Sequence, residues 1–286
     1  MSKVAIITRT KDRPLFLKRA LQSVANQTFT DYTHVVVNDG GDQKVVDELI
    51  GQQTDAARDR IKVFHRPESS GAPDTLFNES IARVDSEYVA IHDDDDTWHP
   101  EFLQRTVASL DSGVKGVVAR TDNVYEKIVD QNTIEKIKSS SYMSDMQAVS
   151  LYRQCLDNQL TAVAFVYRRD AYEAVGKYDD TLPVVGDWEF GIRFLLSYDV
   201  EYLDPGFALA YYHRRIDSDN SFKDHDHRKN ITVVLNKYLR RDLAEGKLGV
   251  GYIMNDLRYE QDLLARTVRR LVPGPIAKLV RKRVRS

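Results

Sequence analysis

Val4-Ala5-Ile6-Ile7-Thr8-Arg9-Thr10-Lys11-Asp12-Arg13-Pro14-Leu15-Phe16-Leu17 opens the chain with an apolar run, a charged loop and a proline that starts a second apolar pattern. Residues 3–7 read as a strand covered on both faces, because the run is continuous and does not alternate with polar residues. Pro14 suits the first turn of a helix, where its missing N–H costs nothing, and Leu15, Leu17, Leu21 and Val24 follow along one face. The same unit then recurs. Thr33 to Val37 reads as a second strand ending in the turn Asn38-Asp39-Gly40-Gly41, and Asp42 caps a helix carrying Val45, Val46, Leu49 and Ile50. Ile61 to Phe64 is a third strand, residues 74–83 a helix, and Tyr88 to Ile91 a fourth strand. Strands and helices that alternate in this way predict an α/β fold with a mostly parallel central sheet flanked by helices. In such sheets ligands sit beyond the carboxyl ends of the strands, so the loops at Thr8, Asn38 and His92 are expected to meet in one crevice.

The second half is less regular. Val114 to Val118 and Ala162 to Tyr167 read as strands, Trp188 to Tyr198 as a helix, and the pattern beyond Ser218 turns helical, with a long helix from Tyr252 to Leu271. Pro273-Gly274-Pro275 then breaks it. The 286 residues, 42% hydrophobic and 29% charged, suffice for one large domain with an appendage. No apolar run approaches the roughly 18 residues that span a bilayer, and Met1-Ser2-Lys3 leads into an apolar stretch too short for a secretory leader. The single cysteine, Cys155, forms no internal disulfide and reads as a small hydrophobe, compatible with a reducing compartment. Net charge is −2 but unevenly spread: residues 266–286 hold eight basic and no acidic residues, leaving 33 basic against 43 acidic in the body, about −10.

The fourth strand runs into His92-Asp93-Asp94-Asp95-Asp96. Four adjacent carboxylates repel one another, so their place at a strand end asks for a cation. Oxygen ligands of this kind suit Mg2+ or Mn2+, which bridge phosphates and stabilise a departing diphosphate. A solvated acidic loop is the plainer alternative.

With these motifs in this order, the chain resembles the family 2 glycosyltransferases of the GT-A nucleotide-sugar-binding fold. The resemblance covers residues 3–215 and rests on Ile7 to Pro14, Ser23 to Thr28, Val37-Asn38-Asp39-Gly40, Gly71-Ala72 with Asn78, the Asp93–Asp96 run before Trp98 and Pro100, and Gly186-Asp187-Trp188-Glu189. It implies that Thr8, Arg9 and Asn78 belong to the nucleotide-sugar site and that Asp39 accepts a hydrogen bond from the base, although Asp39 also suits a role in its own turn. Asp93 and Asp95 match the outer positions of the family's DxD. Asp95 is then the direct metal ligand, Asp93 or Asp94 reaches the ribose or the metal, and Asp96 supports the site or the donor sugar. The family's base lies in an acidic pair at a helix start, where Asp187 falls. Here Gly186 replaces the commoner Glu of that pair, which leaves Glu189 as a rival base and helix capping as a rival role for Asp187. His213 matches a histidine that some relatives place near the metal or diphosphate, though a lone histidine is also often structural. Arg214 and Arg215 suit phosphate contact or plain exposure, and His225 and His227 suit a metal or a polar loop.

The expected organisation is a glycosyltransferase domain over 1–217, with a nucleotide-binding half about 1–98 and an acceptor-side half about 99–217, then a helical extension 218–271 and a basic tail 272–286. In the tail Ile276, Leu279, Val280 and Val284 share one helical face among basic residues, which suits an anionic membrane surface. Nucleic acid lacks support because no aromatic residues interleave the basic ones, and a solvated end is the further alternative. The resemblance implies an inverting, metal-dependent enzyme that takes a nucleotide-sugar donor and a glycan or lipid-linked acceptor. Its expected setting is bacterial-type surface polysaccharide or glycolipid synthesis, in the cytoplasm at the inner membrane face. The rivals are a non-catalytic nucleotide-sugar-binding module and a sugar-nucleotide pyrophosphorylase. The latter wants a Gly-rich loop, and Thr8 to Pro14 has no glycine. Donor, acceptor and oligomeric state stay open at this level.

Overall fold

The structure, a computed structural model, describes residues 2–71, 73–130, 133–216 and 227–271. The basic tail 272–286, His225 and Ala72 lie outside the described residues. The first half is built from β1 (Ser2–Thr10), α1 (Pro14–Ala25), β2 (Tyr32–Asp39), α2 (Gln43–Gly51), α3 (Asp55–Arg58), β3 (Ile61–Arg66), α4 (Pro73–Arg83) and β4 (Ser86–Ile91). There follow β5 (Thr97–Trp98), α5 (Phe102–Asp111), β6 (Gly116–Ala119), β7 (Thr121–Ile128), β8 (Ile134–Ser141), α6 (Leu151–Gln154), β9 (Phe165–Arg168), α7 (Arg169–Val175) and α8 (Gly186–Leu195). The chain continues through β10 (Glu201–Leu203), β11 (Ala210–Arg215), α9 (His227–Ala244) and α10 (Val250–Leu271).

Seven strands form the central sheet in the order β10-β6-β9-β4-β1-β2-β3. All pairings are parallel except those of β9, which runs antiparallel to both β4 and β6. Val4 to Ile7, Val35 to Val37 and Tyr88 to Ile91 are buried, as continuous apolar runs require. Asp42 caps α2 by accepting from the Lys44 N–H at 2.9 Å. A second sheet, β5-β11-β7-β8, was not anticipated. Its strands give little apolar signal: β8 is Ile-Glu-Lys-Ile-Lys-Ser-Ser-Ser and largely exposed, and β11 pairs with β7 from 89 residues away in sequence, Ala210 opposite Thr121 and Arg215 opposite Glu126.

The helical extension shares a core with α8. Cys155, Leu182, Trp188 and Ile192 pack with Val234, Leu235 and Tyr238 of α9 and with Val250, Met254 and Leu257 of α10. Burial pushes the Cys155 thiol up to about 11, so it is an inert apolar contact. The two helices touch at backbone distance, since a Cβ on Gly251 would lie 2.2 Å from the Tyr238 carbonyl carbon and 2.3 Å from the Leu239 nitrogen. Backbone atoms cannot swing aside. In an unhindered helix Gly→Ala stabilises by about 1 kcal/mol, but here the steric term should win. Gly251→Ala is expected to destabilise the chain by about 1–3 kcal/mol, read as a lower urea midpoint; a higher midpoint would contradict the contact.

Candidate active site

The loops after β1, β2 and β4 meet as their positions at strand ends require, and they wall a cavity of about 650 Å³. Arg9 and Asp39 line it from the ends of β1 and β2, Asp93, Asp95 and Asp96 from the loop after β4, Asp74 from the start of α4, and Asp187 from the start of α8. Tyr212, His213 and Arg214 of β11 add a further wall, as do His227, Ile231 and Arg258 of α9 and α10. The volume is in the range of small-molecule sites.

The acidic run is neutralised by arginines. Arg9 Nε donates to Asp93 at 2.8 Å, with its guanidinium 4.8 Å above the Phe77 ring. Arg13 pairs with Asp94 and reaches Asp95 at 3.2 Å, and Arg215 reaches Asp95 at 3.1 Å. Burial pushes Asp94 up to about 7, with Arg13 opposing. Burial would also raise Asp95, but Arg13 and Arg215 outweigh it and hold that carboxyl below its usual range. Asp96 is raised well above the ordinary range, first by burial and then by Asp95 and Asp93, although it accepts the His213 backbone N–H at 2.9 Å. The repulsion that pointed to a metal from sequence is thus answered in part by guanidinium groups. The donor set still fits a hard cation: Asp93 and Asp95 both face the cavity with about a fifth of each side chain exposed. Among the described residues no three His, Cys, Asp or Glu side chains converge on one point. A metal held here would therefore draw its remaining ligands from substrate phosphates and water, as Mg2+ commonly does.

Several expected site residues lie elsewhere. Thr8 is fully buried and its hydroxyl bonds His34 Nε2 at 2.8 Å, away from the cavity that Arg9 faces. Asn78 is a structural amide: it donates to the Tyr178 carbonyl at 3.0 Å and accepts from the Tyr172 hydroxyl and the Tyr178 N–H. Asp94 is fully buried behind the wall and pairs with Arg13, which itself lines the cavity. Glu189, the rival base, is also fully buried. It pairs with Arg193 and with Lys237 at 3.0 Å and accepts from the Tyr238 hydroxyl at 3.0 Å, so it holds α9 against α8. His213 lines the cavity, but both ring nitrogens are engaged: Nδ1 with Glu126 at 2.7 Å and Nε2 with the Thr97 hydroxyl at 2.8 Å. Because the Glu126 carboxylate must receive Nδ1–H, the Nε2 lone pair faces Thr97, and metal ligation would break that bond.

Asp39 does not tie its own turn. Asn38 does that, accepting from the Gly41 N–H at 3.0 Å and donating to its carbonyl at 2.8 Å. Asp39 instead accepts from the Ser70 N–H and the Ser69 hydroxyl, both at 2.8 Å, and so fastens the 69–70 loop at the cavity rim. Asp187 accepts from Asn158 Nδ2 at 2.7 Å and from the Trp188 N–H at 2.8 Å. Burial raises its carboxyl above the usual range, with the Asp93 charge adding to it. Arg13 stood inside a quoted motif without a role; Glu126, Asn158 and Asp74 carried no sequence signal.

Residues 5–176 match the family described as Glycosyl transferase family 2. An uncharacterised glycosyltransferase of Nostoc sp. is 30% identical over 62% of this chain and 54% of its own length. The succinoglycan biosynthesis protein ExoW of Rhizobium meliloti is 34% identical over 38% of this chain and 34% of its own. The chain thus spans about half or less of the length of these two relatives. A PGL/p-HBAD biosynthesis glycosyltransferase of Mycobacterium bovis is 22% identical over 92% of this chain and 93% of its own. Among solved structures, S. aureus TarS 1-349 in complex with UDP-GlcNAc superposes with a TM-score of 0.65 at 18% identity, over 83% of this chain and 66% of that one. Mannosyltransferase PcManGT from Pyrobaculum calidifontis, in complex with GDP-Man and Mn2+, gives 0.63 at 13% identity over 98% and 79%. These likenesses give the fold as GT-A, and the match over residues 5–176, more than half of the chain, gives the family: the chain belongs to glycosyltransferase family 2.

Proposed function

We propose that the protein is an inverting glycosyltransferase, moving a sugar from a nucleotide-diphosphate sugar to a hydroxyl of a glycan or lipid-linked acceptor in surface polysaccharide or glycolipid synthesis. The observation that carries this reading is one cavity lined by Asp39, Asp93 and Asp95 together with the half-buried carboxylate of Asp187. Asp39 faces the base, Arg9 and Arg13 offset the charge of the diphosphate, and Asp187 receives the acceptor hydroxyl's proton as its oxygen attacks the anomeric carbon. The bond from that carbon to the diphosphate oxygen breaks on the opposite face, which inverts the centre. Asp93 and Asp95 would hold a divalent cation, Mn2+ or Mg2+, together with the donor phosphates, and the cation supplies Lewis-acid stabilisation of the leaving diphosphate when bound. PcManGT is described with GDP-Man and Mn2+ and TarS with UDP-GlcNAc, so guanosine and uridine donors are the first to test. The setting we propose is the inner face of the membrane, reached through the basic tail; no helix of the described residues is long and apolar enough to cross it.

Four outcomes test this reading. Transfer should vanish with chelator and return with Mn2+ or Mg2+, and Asp95→Ala should abolish it while thermal melting still shows a folded chain. Full activity in chelator would remove the metal assignment. Asp187→Asn, nearly isosteric, should lower kcat by about two to four orders of magnitude while a UDP- or GDP-sugar still raises the melting temperature. Because the base acts deprotonated and its carboxyl is raised by burial, kcat/KM of the wild type should fall on acidification at a pH above the ordinary aspartate value of about 4. Finally, removing residues 272–286 deletes Lys278, Arg281, Lys282, Arg283 and Arg285. At about 1 kcal/mol each near anionic lipid, their loss should release the protein from anionic liposomes at low salt while sparing transfer to a soluble acceptor. Equal sedimentation of both forms would leave the tail without a membrane role.

A further inference from the structure

Gly186 has no room for a side chain. A Cβ there would lie 1.6 Å from Asp74 Oδ2 and 2.8 Å from its Cγ. The Asp74 carboxylate therefore occupies the space in which any residue at 186 would begin its side chain, directly before Asp187 in the chain. Asp74 is 6% exposed, sits in the first turn of α4 and lines the same cavity as Asp187. The groups whose charge it feels are Arg9, Asp187, Asp93 and Asp179. Where the family resemblance leads one to expect two neighbouring acids, the chain carries Gly-Asp, yet two carboxylates stand together at this end of the cavity.

We propose that Asp74 is the second carboxylate of the acceptor-activating site, delivered from α4 into the space that Gly186 leaves open, where it accepts a hydrogen bond from the acceptor and turns the reacting hydroxyl toward Asp187. The proton still passes to Asp187; Asp74 neither gains nor loses one across the step. Burial, with the Asp187 charge adding to it, raises the Asp74 carboxyl to about 7, as expected for a group held dry beside another acid. A carboxylate placed there for packing alone would bear that desolvation without return, and a glycine at 186 would need no acid above it.

The proposal rests on the transferase reading, and a carboxylate transplant tests it. Nucleoside diphosphate release from UDP-GlcNAc, UDP-glucose and GDP-mannose is measured with water and with a panel of alkyl glycosides as acceptors. Asp74→Asn should lower kcat by about tenfold or more with the donor KM little changed. Gly186→Glu alone should lose activity, because its Cβ meets Asp74. Combining it with Asp74→Ala clears the collision and restores a carboxylate from the other strand of chain, so the double variant should exceed Asp74→Ala by about tenfold. A double variant no more active than either single one, or Asp74→Asn with wild-type kcat, overturns the proposal. Asp74→Asn, close in shape to the native residue, decides the matter alone if the alanine or glutamate variants do not fold. A wild type inactive with every donor overturns the transferase reading and this proposal with it, whereas an active wild type matched by Asp74→Asn overturns this proposal only.

Discussion

Four consecutive carboxylates at the end of a buried strand are an electrostatic load that the rest of the site is arranged to carry. Two such charges about 4 Å apart repel by roughly 4 kcal/mol at an effective dielectric near 20. The chain answers with guanidinium groups drawn from distant segments: Arg9 from the end of β1, Arg13 from the loop after it, and Arg215 from the end of β11. Arg19 joins the arrangement through Glu126, which in turn holds the ring of His213. The second sheet is thereby bound to the first through charge as well as packing. Arg9 and Arg13 also line the cavity, so the side chains that offset the acidic run give the cavity its positive groups.

How much of this was legible in sequence depends on how local the signal is. Strands β1, β2 and β4 announce themselves because each is a continuous apolar run closed by a turn. The second sheet does not, because β7, β8 and β11 are half polar and find one another only through long-range pairing. Site residues divide in the same way. A motif locates a strand end, but it does not say which side chain faces the ligand. Along β1 successive residues point to opposite faces, so Arg9 reaches the cavity while Thr8 turns to His34. In the turn after β4, Asp93, Asp95 and Asp96 line the cavity while Asp94 is fully buried against Arg13. Asn78 was expected in the nucleotide-sugar site, whereas its amide hydrogen-bonds Tyr172 and Tyr178. Asp74 meets Gly186 from more than a hundred residues away, a contact that no spacing in the chain records.

The start of α8 shows how closely one helix can divide its duties. Asp187 and Glu189 are two residues apart, a rotation of about 200° at 100° per residue, and so they face nearly opposite ways. Asp187 looks into the cavity, while Glu189 is buried against α9 with Lys237, Tyr238 and Arg193. A buried ion network of this kind adds little net stability when whole, but removing one partner strands the others and costs about 3–5 kcal/mol. Glu189 is therefore a poor base and an effective latch. Just before the acid, Val185 adopts φ 64°, a left-handed conformation that a β-branched residue takes only under constraint. The constraint lies behind it, in the core that Trp188 and Ile192 share with Val234, Met254 and Leu257. The helical extension thus does more than follow the catalytic half in sequence. By fixing the rear face of α8 it fixes where Asp187 points, and through His227, Ile231 and Arg258 it supplies part of the cavity wall.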